Sequence, residues 1–476
     1  MLDLIVKGDR VVTPHGVQAL DIGISDGRIV TLSDPGGLDA QASARTVDMR
    51  GHIVMPGGID PHVHCFWPIP SHDGSSEILT EPPAHVSRAA LHGGTTTLID
   101  FAFWSPGETL AQTIAQRDEA WAGKCHCDYA YHLMLQGQVP PEVLVELGEK
   151  IDEGYASVKI FTTDVTPSRR GRMIGFGDIW EIFKVIAHHG GLAVIHAEDN
   201  DIVMHMYERL IADDRARFEH MAEVHNALSE ELSFRRVIRL AENVPGTALY
   251  MMHASAASGV EAIAESRAKG FPIYGETLHQ YLMFTSEDYR RSNGQIYHTY
   301  PSLKSKADQS ALWQGMADGH IHSVATDEIC CTLEVKLQGE RIDDTTGGNA
   351  GVEPRLAVMY TQMVTERGWS LEKFVDLTSS NAARIMGMYP RKGAIAVGSD
   401  ADIAVLETGA TRTVHNEDLH ESDYTPWEGQ QVTAWPVMTI MRGKIMVEGG
   451  EFFGDPAHGQ YLKRKIPQSI LGTAKH

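Results

Sequence analysis

Six residues whose side chains can bind a metal ion or move a proton lie within or just after apolar, strand-like runs. They are His62, His64, Lys159, His196, His253 and Asp327. His62 and His64 are two residues apart, so on a strand both imidazoles point to one face and can reach one cation. His196 and His253 are available for a second cation. These residue types and their placement predict a metal centre.

Lys159 is the unusual member of this set because it lies inside the apolar run "ASVKIF". A buried ammonium is strongly disfavoured unless a partner neutralises it or its charge is removed. Two neighbouring cations repel each other and need an anionic ligand between them. A lysine carbamylated by CO₂ presents a bidentate carboxylate, which inverts the charge and can bridge two metal ions.

The apolar runs alternate with amphipathic helical stretches such as "PPEVLVELGEKIDEG". There are eight of these runs, at residues 52–64, 95–103, 128–135, 156–161, 191–197, 248–254, 271–277 and 321–326. This alternation predicts an α/β fold, a (β/α)8 TIM-like barrel with a parallel sheet. A single histidine is more often structural than a ligand. All six residues, however, fall at the C-terminal ends of their strands, where active sites of this barrel class lie.

The two ends of the chain follow a different pattern, with short alternating segments separated by Gly and Asp turns. Such segments are typical of antiparallel sheet, and we predict that both ends pair into one small β-sandwich domain. The predicted boundaries are 1–54 and 391–454 for this domain, 55–390 for the barrel and 455–476 for a C-terminal tail. The tail is expected to dock on the surface or on a neighbouring subunit.

Composition excludes several classes of protein. The chain is 42% apolar and 22% charged, as in ordinary globular proteins, and its formal net charge is -22. This charge argues against electrostatic binding to nucleic acid or to anionic lipid. No apolar run reaches the roughly 18 residues of a membrane span, and the first residues lack a signal-peptide core. The five cysteines are sparse and odd in number, which favours a reducing, cytoplasmic location.

Several motifs together resemble the cyclic amidohydrolases, and most closely their hydantoinase/dihydropyrimidinase branch. The motifs are "MPGGIDPHVH", the Lys159 strand, His196, His253, Asp327, "GETLHQYL" and "GSDADIAVLE". The resemblance implies that His62, His64, Lys159 and Asp327 bind a first metal ion. It implies that Lys159, carboxylated on its side-chain nitrogen, bridges to a second ion held by His196 and His253. Zinc is the usual metal, with manganese or cobalt as alternatives, and tetramers are usual.

The resemblance also implies a reaction. A hydroxide between the metals attacks a ring amide carbonyl, and Asp327 carries the proton to the leaving nitrogen. The substrate is then a small cyclic amide, such as a hydantoin, a dihydropyrimidine or an imide. Rivals are an allantoinase-like enzyme and a hydrolase of an unusual heterocycle. A non-enzymatic scaffold related to dihydropyrimidinase is disfavoured because all six ligand positions are filled.

The chain departs from the family at positions around the substrate. Asp164 stands where the family has a tyrosine that hydrogen-bonds the developing oxyanion, and a carboxylate there would repel it. Tyr300 replaces a serine and is a candidate for the oxyanion role. Gly347 replaces an asparagine. The candidate substrate-binding residues are Asp164, His279, Tyr300, Phe66, Gly348 and Asn349.

Two further features bear on the substrate. Phe66 occupies the position of the arginine with which dihydroorotases bind a carboxylate, which disfavours that activity. The loop "PSRRGRM" after Asp164 offers Arg169, Arg170 and Arg172 as ligands for a substrate carboxylate. The alternative, a solvated basic turn in an acidic protein, is the more common case.

Overall fold

The computed structural model describes residues 1–72 and 75–472, and its centre is an eight-stranded parallel sheet. We number the strands in chain order, which is also their order in the sheet. They are β1 (Gly58–Asp60), β2 (Thr95–Phe103), β3 (Asp128–Met134), β4 (Ser157–Phe161), β5 (Leu192–His196), β6 (Ala248–Met251), β7 (Ile273–Leu278) and β8 (Ser323–Ala325).

The sheet closes into a barrel just beyond the ends of its first and last strands. Val63 and Glu328 form a parallel bridge there, and the His64 N–H donates to the Glu328 carbonyl at 2.9 Å. The strands are buried on both faces because side chains fill the interior and helices cover the outside. The predicted barrel is confirmed.

Helices follow the strands and cover the barrel. The first seven are α1 (Pro83–His92), α2 (Leu110–Trp121), α3 (Pro141–Asp152), α4 (Phe176–His189), α5 (Ala227–Ala241), α6 (Ala257–Ala268) and α7 (Lys306–Asp318). Short helical segments after β8 complete the ring at Arg355–Tyr360, Thr361–Thr365, Leu371–Val375, Asp376–Ser380 and Asn381–Ile385. Local sequence fixes several ends. Ser305 caps α7 in a capping box with Asp308, and Gly319 ends that helix at a positive φ of 80°.

Additional segments surround the C-terminal end of the barrel. They include a hairpin of Pro68–Pro70 and Glu77–Leu79, the turn Pro167–Arg169, and the helices Asn200–Ala212, His279–Met283 and Leu333–Lys336. Within the part of the chain that the structure describes, no helix is long and apolar enough to cross a membrane.

The chain ends form a separate nine-stranded sheet. Its strands are Leu2–Thr13, Gly16–Ser25, Arg28–Ser33, Ser43–Asp48, Ile53–Pro56, Ile403–Thr413, Gln431–Met441, Lys444–Glu448 and Glu451–Phe452. Ile53–Pro56 joins the two ends, parallel to the first strand and antiparallel to Ile403–Thr413. Buried side chains from both halves, such as Val6, Ile22 and Ile440, share one core. The expected β domain of both chain ends is confirmed.

The first predicted strand, 52–64, is divided between the two sheets. Ile53–Pro56 belongs to the terminal sheet and Gly58–Asp60 to the barrel. The break falls at Gly57, where a Cβ would lie 2.2 Å from the Thr96 hydroxyl oxygen. Only a residue without a side chain lets the backbone cross so close to β2.

The predicted tail packs along the barrel. Leu462 N–H donates to the Tyr129 carbonyl at 2.7 Å, and Arg464 donates to the Tyr131 carbonyl at 2.6 Å. Residues up to 472 are described, so the last four positions of the predicted tail lie outside the described residues.

Candidate metal centre

The six predicted residues converge on one cavity at the C-terminal end of the barrel. Lys159 is in the middle of β4, and His196 is the last residue of β5. His253 and Asp327 each follow a strand by two residues and have positive φ angles of 37° and 54°. Such a backbone conformation is uncommon outside glycine and is concentrated at functional sites.

His62, His64 and Asp327 form the first cluster. Asp327 Oδ1 lies 3.0 Å from His62 Nε2 and 3.0 Å from His64 Nε2. The three residues offer ligand atoms that all lie within 4.8 Å of one another. Donor atoms around a tetrahedral ion bound at about 2.0 Å lie roughly 3.3 Å apart, so this spacing suits a shared metal ion.

Lys159, His196 and His253 lie beside that cluster. The His253 ring centroid is 4.4 Å from that of His196 and 5.5 Å from that of His62. The Lys159 Nζ is 2.8 Å from Met252 Sδ and 4.8 Å from the centroid of the Phe161 ring. Among the described residues Lys159 has no carboxylate partner, although it is buried.

Two buried glutamates that the sequence reading did not assign orient the histidines. Glu276 on β7 accepts from His62 Nδ1 at 2.9 Å and from the His253 backbone N–H at 3.1 Å. Glu198 pairs with His196 Nε2 at 3.0 Å and with His225 Nδ1 at 2.8 Å. Carboxylates that hold the far nitrogen of a histidine are typical supports of metal ligands.

Burial and neighbouring charge set the protonation of these groups. Burial lowers the pKa of His64 to about 3, that of His196 to about 4 and that of Lys159 to about 7. Burial also acts on His62, but the Asp327 and Glu276 carboxylates outweigh it and raise its pKa to about 9. His64 and His196 are therefore neutral near pH 7, as metal ligation requires.

The donor set fits divalent metal ions. His253 Nδ1 is buried with no hydrogen-bond partner among the described residues, which is costly for a ring nitrogen in the absence of a ligand. Nitrogen and carboxylate donors of this kind suit zinc and similar ions. A second group, His92, Glu353 and His420, also lies within ligand distance, but its two imidazole rings are stacked at 3.6 Å.

The cavity wall contains some of the predicted substrate-binding residues. Tyr300 and Gly348 line the cavity, together with Trp67, Phe161, Val165, Thr299 and Ile329. Trp67 and Phe161 are the aromatic side chains of this part of the wall. Phe66, the neighbour of Trp67, has a positive φ of 46° and is not part of the wall.

Asp164, His279 and Asn349 lie behind the wall. The Asp164 carboxylate accepts the backbone N–H groups of Gly171 at 3.1 Å and Met173 at 2.8 Å, and so closes its own loop. His279 stacks on Trp427 and contacts the Gly351 carbonyl at 3.1 Å. The amide atoms of Asn349 are buried without a hydrogen-bond partner among the described residues.

Tyr300 and Gly347 are sterically linked. A Cβ at position 347 would lie 2.3 Å from the Tyr300 ring, so the ring occupies space that any side chain at 347 would need. The tyrosine at 300 and the glycine at 347 both depart from the family pattern, and because the ring fills the space beside Gly347 they change the cavity together. Burial raises the pKa of Tyr300 to about 12, which keeps its hydroxyl protonated.

A closed barrel with four histidines, Lys159 and Asp327 converging on one cavity has the architecture of an amidohydrolase. Residues 53–446 match the Amidohydrolase family. The chain is 32% identical to the D-hydantoinase of Geobacillus stearothermophilus, over 97% of this chain and 96% of that protein. The crystal structure of dihydropyrimidinase from Brevibacillus agri NCHU1002 is 30% identical and superposes with a TM-score of 0.91, covering 98% of this chain and 99% of that one.

A third relative is more distant. The L-hydantoinase (dihydropyrimidinase) from Arthrobacter aurescens is 27% identical, with a TM-score of 0.85 over 98% of this chain and 100% of that one. The chain belongs to the amidohydrolase family, and within it to the hydantoinase/dihydropyrimidinase branch. The predicted resemblance is confirmed.

Proposed function

We propose that this protein is a binuclear metal hydrolase that opens a cyclic amide. The observation that carries the proposal is the convergence of four histidines, Asp327 and a buried Lys159 without a carboxylate partner on one cavity. Relatives named D-hydantoinase and dihydropyrimidinase along nearly the whole chain support the same reaction class.

His62, His64 and Asp327 would hold one metal ion, and His196 and His253 a second. Lys159, carboxylated on its side-chain nitrogen, would contact both ions and so carry a negative charge in its apolar strand. Divalent metal ions bound in such a site lower the pKa of water and polarise a carbonyl oxygen. Zinc suits these ligands best, with manganese or cobalt as alternatives.

The side chains of this chain then have defined tasks. Asp327 accepts a proton from the attacking water and delivers it to the ring nitrogen as the C–N bond breaks. Its pKa is far below the usual value because His62 and His64 outweigh the effect of burial, so it starts as a carboxylate. Trp67 and Phe161 exclude water from the ring-binding space. The Tyr300 hydroxyl, which burial keeps protonated, is the candidate donor to the developing oxyanion.

The expected substrates are hydantoins, dihydropyrimidines and imides. An allantoinase-like activity or the opening of an unusual heterocycle is the second candidate. It is favoured by the Tyr300 and Gly347 pair in the cavity and by the absence of the family's tyrosine at position 164, where the aspartate lies behind the wall. We expect a cytoplasmic homotetramer that binds neither nucleic acid nor membranes.

The test is a substrate panel on enzyme loaded with zinc or manganese in the presence of bicarbonate. Ring opening of dihydrouracil, 5-substituted hydantoins, cyclic imides, allantoin and dihydroorotate is followed, with metal quantified in the same sample. Ring opening with two metal ions per chain supports the proposal. Two bound ions without ring opening of any member would contradict it.

A further inference from the structure

Two arginines of the loop after β4 reach into the candidate metal cavity. The Arg172 guanidinium lies 5.3 Å from the ring centroids of both Trp67 and Phe161. The Arg169 guanidinium lies 5.6 Å from the centroid of the Tyr300 ring. Both residues line the cavity, whereas Arg170 between them is exposed. The loop therefore presents two cationic groups to the same space as the metal ligands.

Neither arginine has an anionic partner among the described residues. The Asp164 carboxylate is engaged by the N–H groups of Gly171 and Met173. Asp327 is engaged by His62 and His64. A half-buried guanidinium without a carboxylate at ion-pair distance is unfavourable. Burial and the neighbouring Arg169 lower the pKa of Arg172 to about 9, and the opposing effect of the Asp164 charge is smaller. An anionic ligand would relieve this cost.

The acidic residues at the cavity mouth do not fill that need. Asp343 and Asp344 line an adjoining depression with Arg169. Asp343, however, pairs with the Arg341 guanidinium at 2.9 Å, and Asp344 accepts the Arg341 backbone N–H at 2.8 Å. Both carboxylates are therefore paired with Arg341 and not with Arg169.

The anion would sit beside the reacting ring and not on the metals. The Phe161 ring centroid lies 4.8 Å from Lys159 Nζ and 5.3 Å from the Arg172 guanidinium. Both positive groups therefore adjoin the same aromatic ring. A short substituent on a five-membered or six-membered ring spans this distance, with its methylene groups against Trp67 and Phe161.

We propose that the substrate is a cyclic amide whose substituent carries a carboxylate, bound by Arg172 with Arg169 beside it. The proposal rests on the proposed function. A guanidinium binds a carboxylate through two parallel N–H···O bonds, which a lysine could not supply. Hydrolysis adds the OH of water to the ring carbonyl carbon, breaks the C–N bond and protonates the nitrogen. The product therefore carries two carboxylates.

The test compares hydantoin-5-propionate with its neutral amide on metal-loaded enzyme. We expect the wild type to favour the acid in kcat/KM by about tenfold or more. Arg172→Gln is expected to lower kcat/KM for the acid about 100-fold, mainly through KM, and to change that for the amide less than about threefold. Arg170→Gln, two residues away at an exposed position of the same loop, is the matched control and should change neither.

The outcomes separate this inference from the proposed function. If the wild type opens the amide as well as the acid, or Arg172→Gln weakens both equally, the carboxylate assignment is overturned and the ring-opening activity stands. If neither compound is opened, binding of the acid to the metal-loaded protein is measured by calorimetry. Binding that is lost in Arg172→Gln, weakened in Arg172→Lys and kept in Arg170→Gln supports the anion site, and absence of binding overturns it.

Discussion

At the scale of single residues, the candidate metal centre depends on groups that do not touch the metal. Glu276 contacts both His62 Nδ1 and the backbone of His253, so one carboxylate positions a ligand in each half of the site. Glu276 lies in the motif "GETLHQYL", but the motif alone does not show which side chain this glutamate contacts. Only the closed barrel brings Glu276 next to His62, 214 residues away.

Glu276→Gln is expected to weaken metal binding about 10- to 100-fold. The amide cannot accept from both groups with the strength of a carboxylate, so the His62 ring loses its fixed orientation. Competition with a metal chelator measures the change. Glu261→Gln, on the exposed side of α6, serves as the control. Equal metal affinity in the Glu276 variant and the wild type would show that Glu276 does not position the ligands.

Tyr300 and Gly347 make a second residue-scale prediction. Gly347→Ala is expected to cost roughly 1–3 kcal/mol of stability, since the new Cβ overlaps the Tyr300 ring. The same substitution in a Tyr300→Ser background should cost much less, and a double-mutant cycle of melting temperatures measures the coupling. Gly177→Ala, where a Cβ meets open space, is the control. Additive effects of the two changes would contradict the steric link.

At the scale of elements, strands were predictable and the loops over the site were not. Short apolar runs rich in β-branched residues indicate β2 and β5, because both faces of these strands are buried. A candidate ligand at the end of such a strand then has a known location in the barrel. The loop 164–173 contains no such run. Arg169 and Arg172 point into the cavity because the Asp164 carboxylate accepts the backbone N–H groups of Gly171 and Met173 and so shapes the loop. That contact depends on loop geometry.

Asp164→Ala is expected to loosen this loop. Hydrogen bonds to a charged acceptor contribute roughly 1.5–3 kcal/mol each, so local opening should become at least tenfold more frequent. Trypsin cleavage after Arg169 or Arg170 under native conditions reports this opening. Asp164→Asn keeps an acceptor oxygen and should be cleaved by trypsin more slowly than Asp164→Ala. Asp201→Ala, which removes a nearby exposed aspartate, is the control. Unchanged cleavage in Asp164→Ala would mean that other contacts hold the loop.

At the scale of the whole molecule, buried neutral histidines make the fold sensitive to acid. Burial lowers the pKa of His279 and His322 to about 3. In the unfolded chain these groups titrate near pH 6.5, so between pH 6.5 and 3 the unfolded state binds more protons. Their contribution to stability is complete above pH 6.5 and is lost as pH falls toward 3, by about 1.4 kcal/mol per group and pH unit.

The melting temperature should therefore fall between pH 7 and pH 5. His322→Gln removes one titrating group and should flatten this dependence relative to the wild type. His205→Gln, at an exposed position, should leave the slope unchanged. A slope in His322→Gln equal to that of the wild type would show that His322 is not a source of the acid sensitivity.

The overall architecture was accessible from the sequence because it follows from repeated patterns. The alternation of strand and helix patterns implies the eight strands and the sheet built from both chain ends. Strand order then implies the convergence of the six candidate ligands, which are His62, His64, Lys159, His196, His253 and Asp327. The division of the first strand at Gly57 and the placement of Asp164 and His279 behind the cavity wall required three-dimensional contacts.

The most direct test of the binuclear hydrolase is Lys159→Ala, assayed for metal content and ring opening beside the wild type. We expect two metal ions per wild-type chain and fewer than two in the variant, with activity reduced roughly a thousandfold or more. A short-chain carboxylic acid should restore part of that activity by replacing the bridging carboxylate. Lys184→Ala, on the exposed face of α4, should behave as the wild type. Full metal content and full activity in Lys159→Ala would contradict the account.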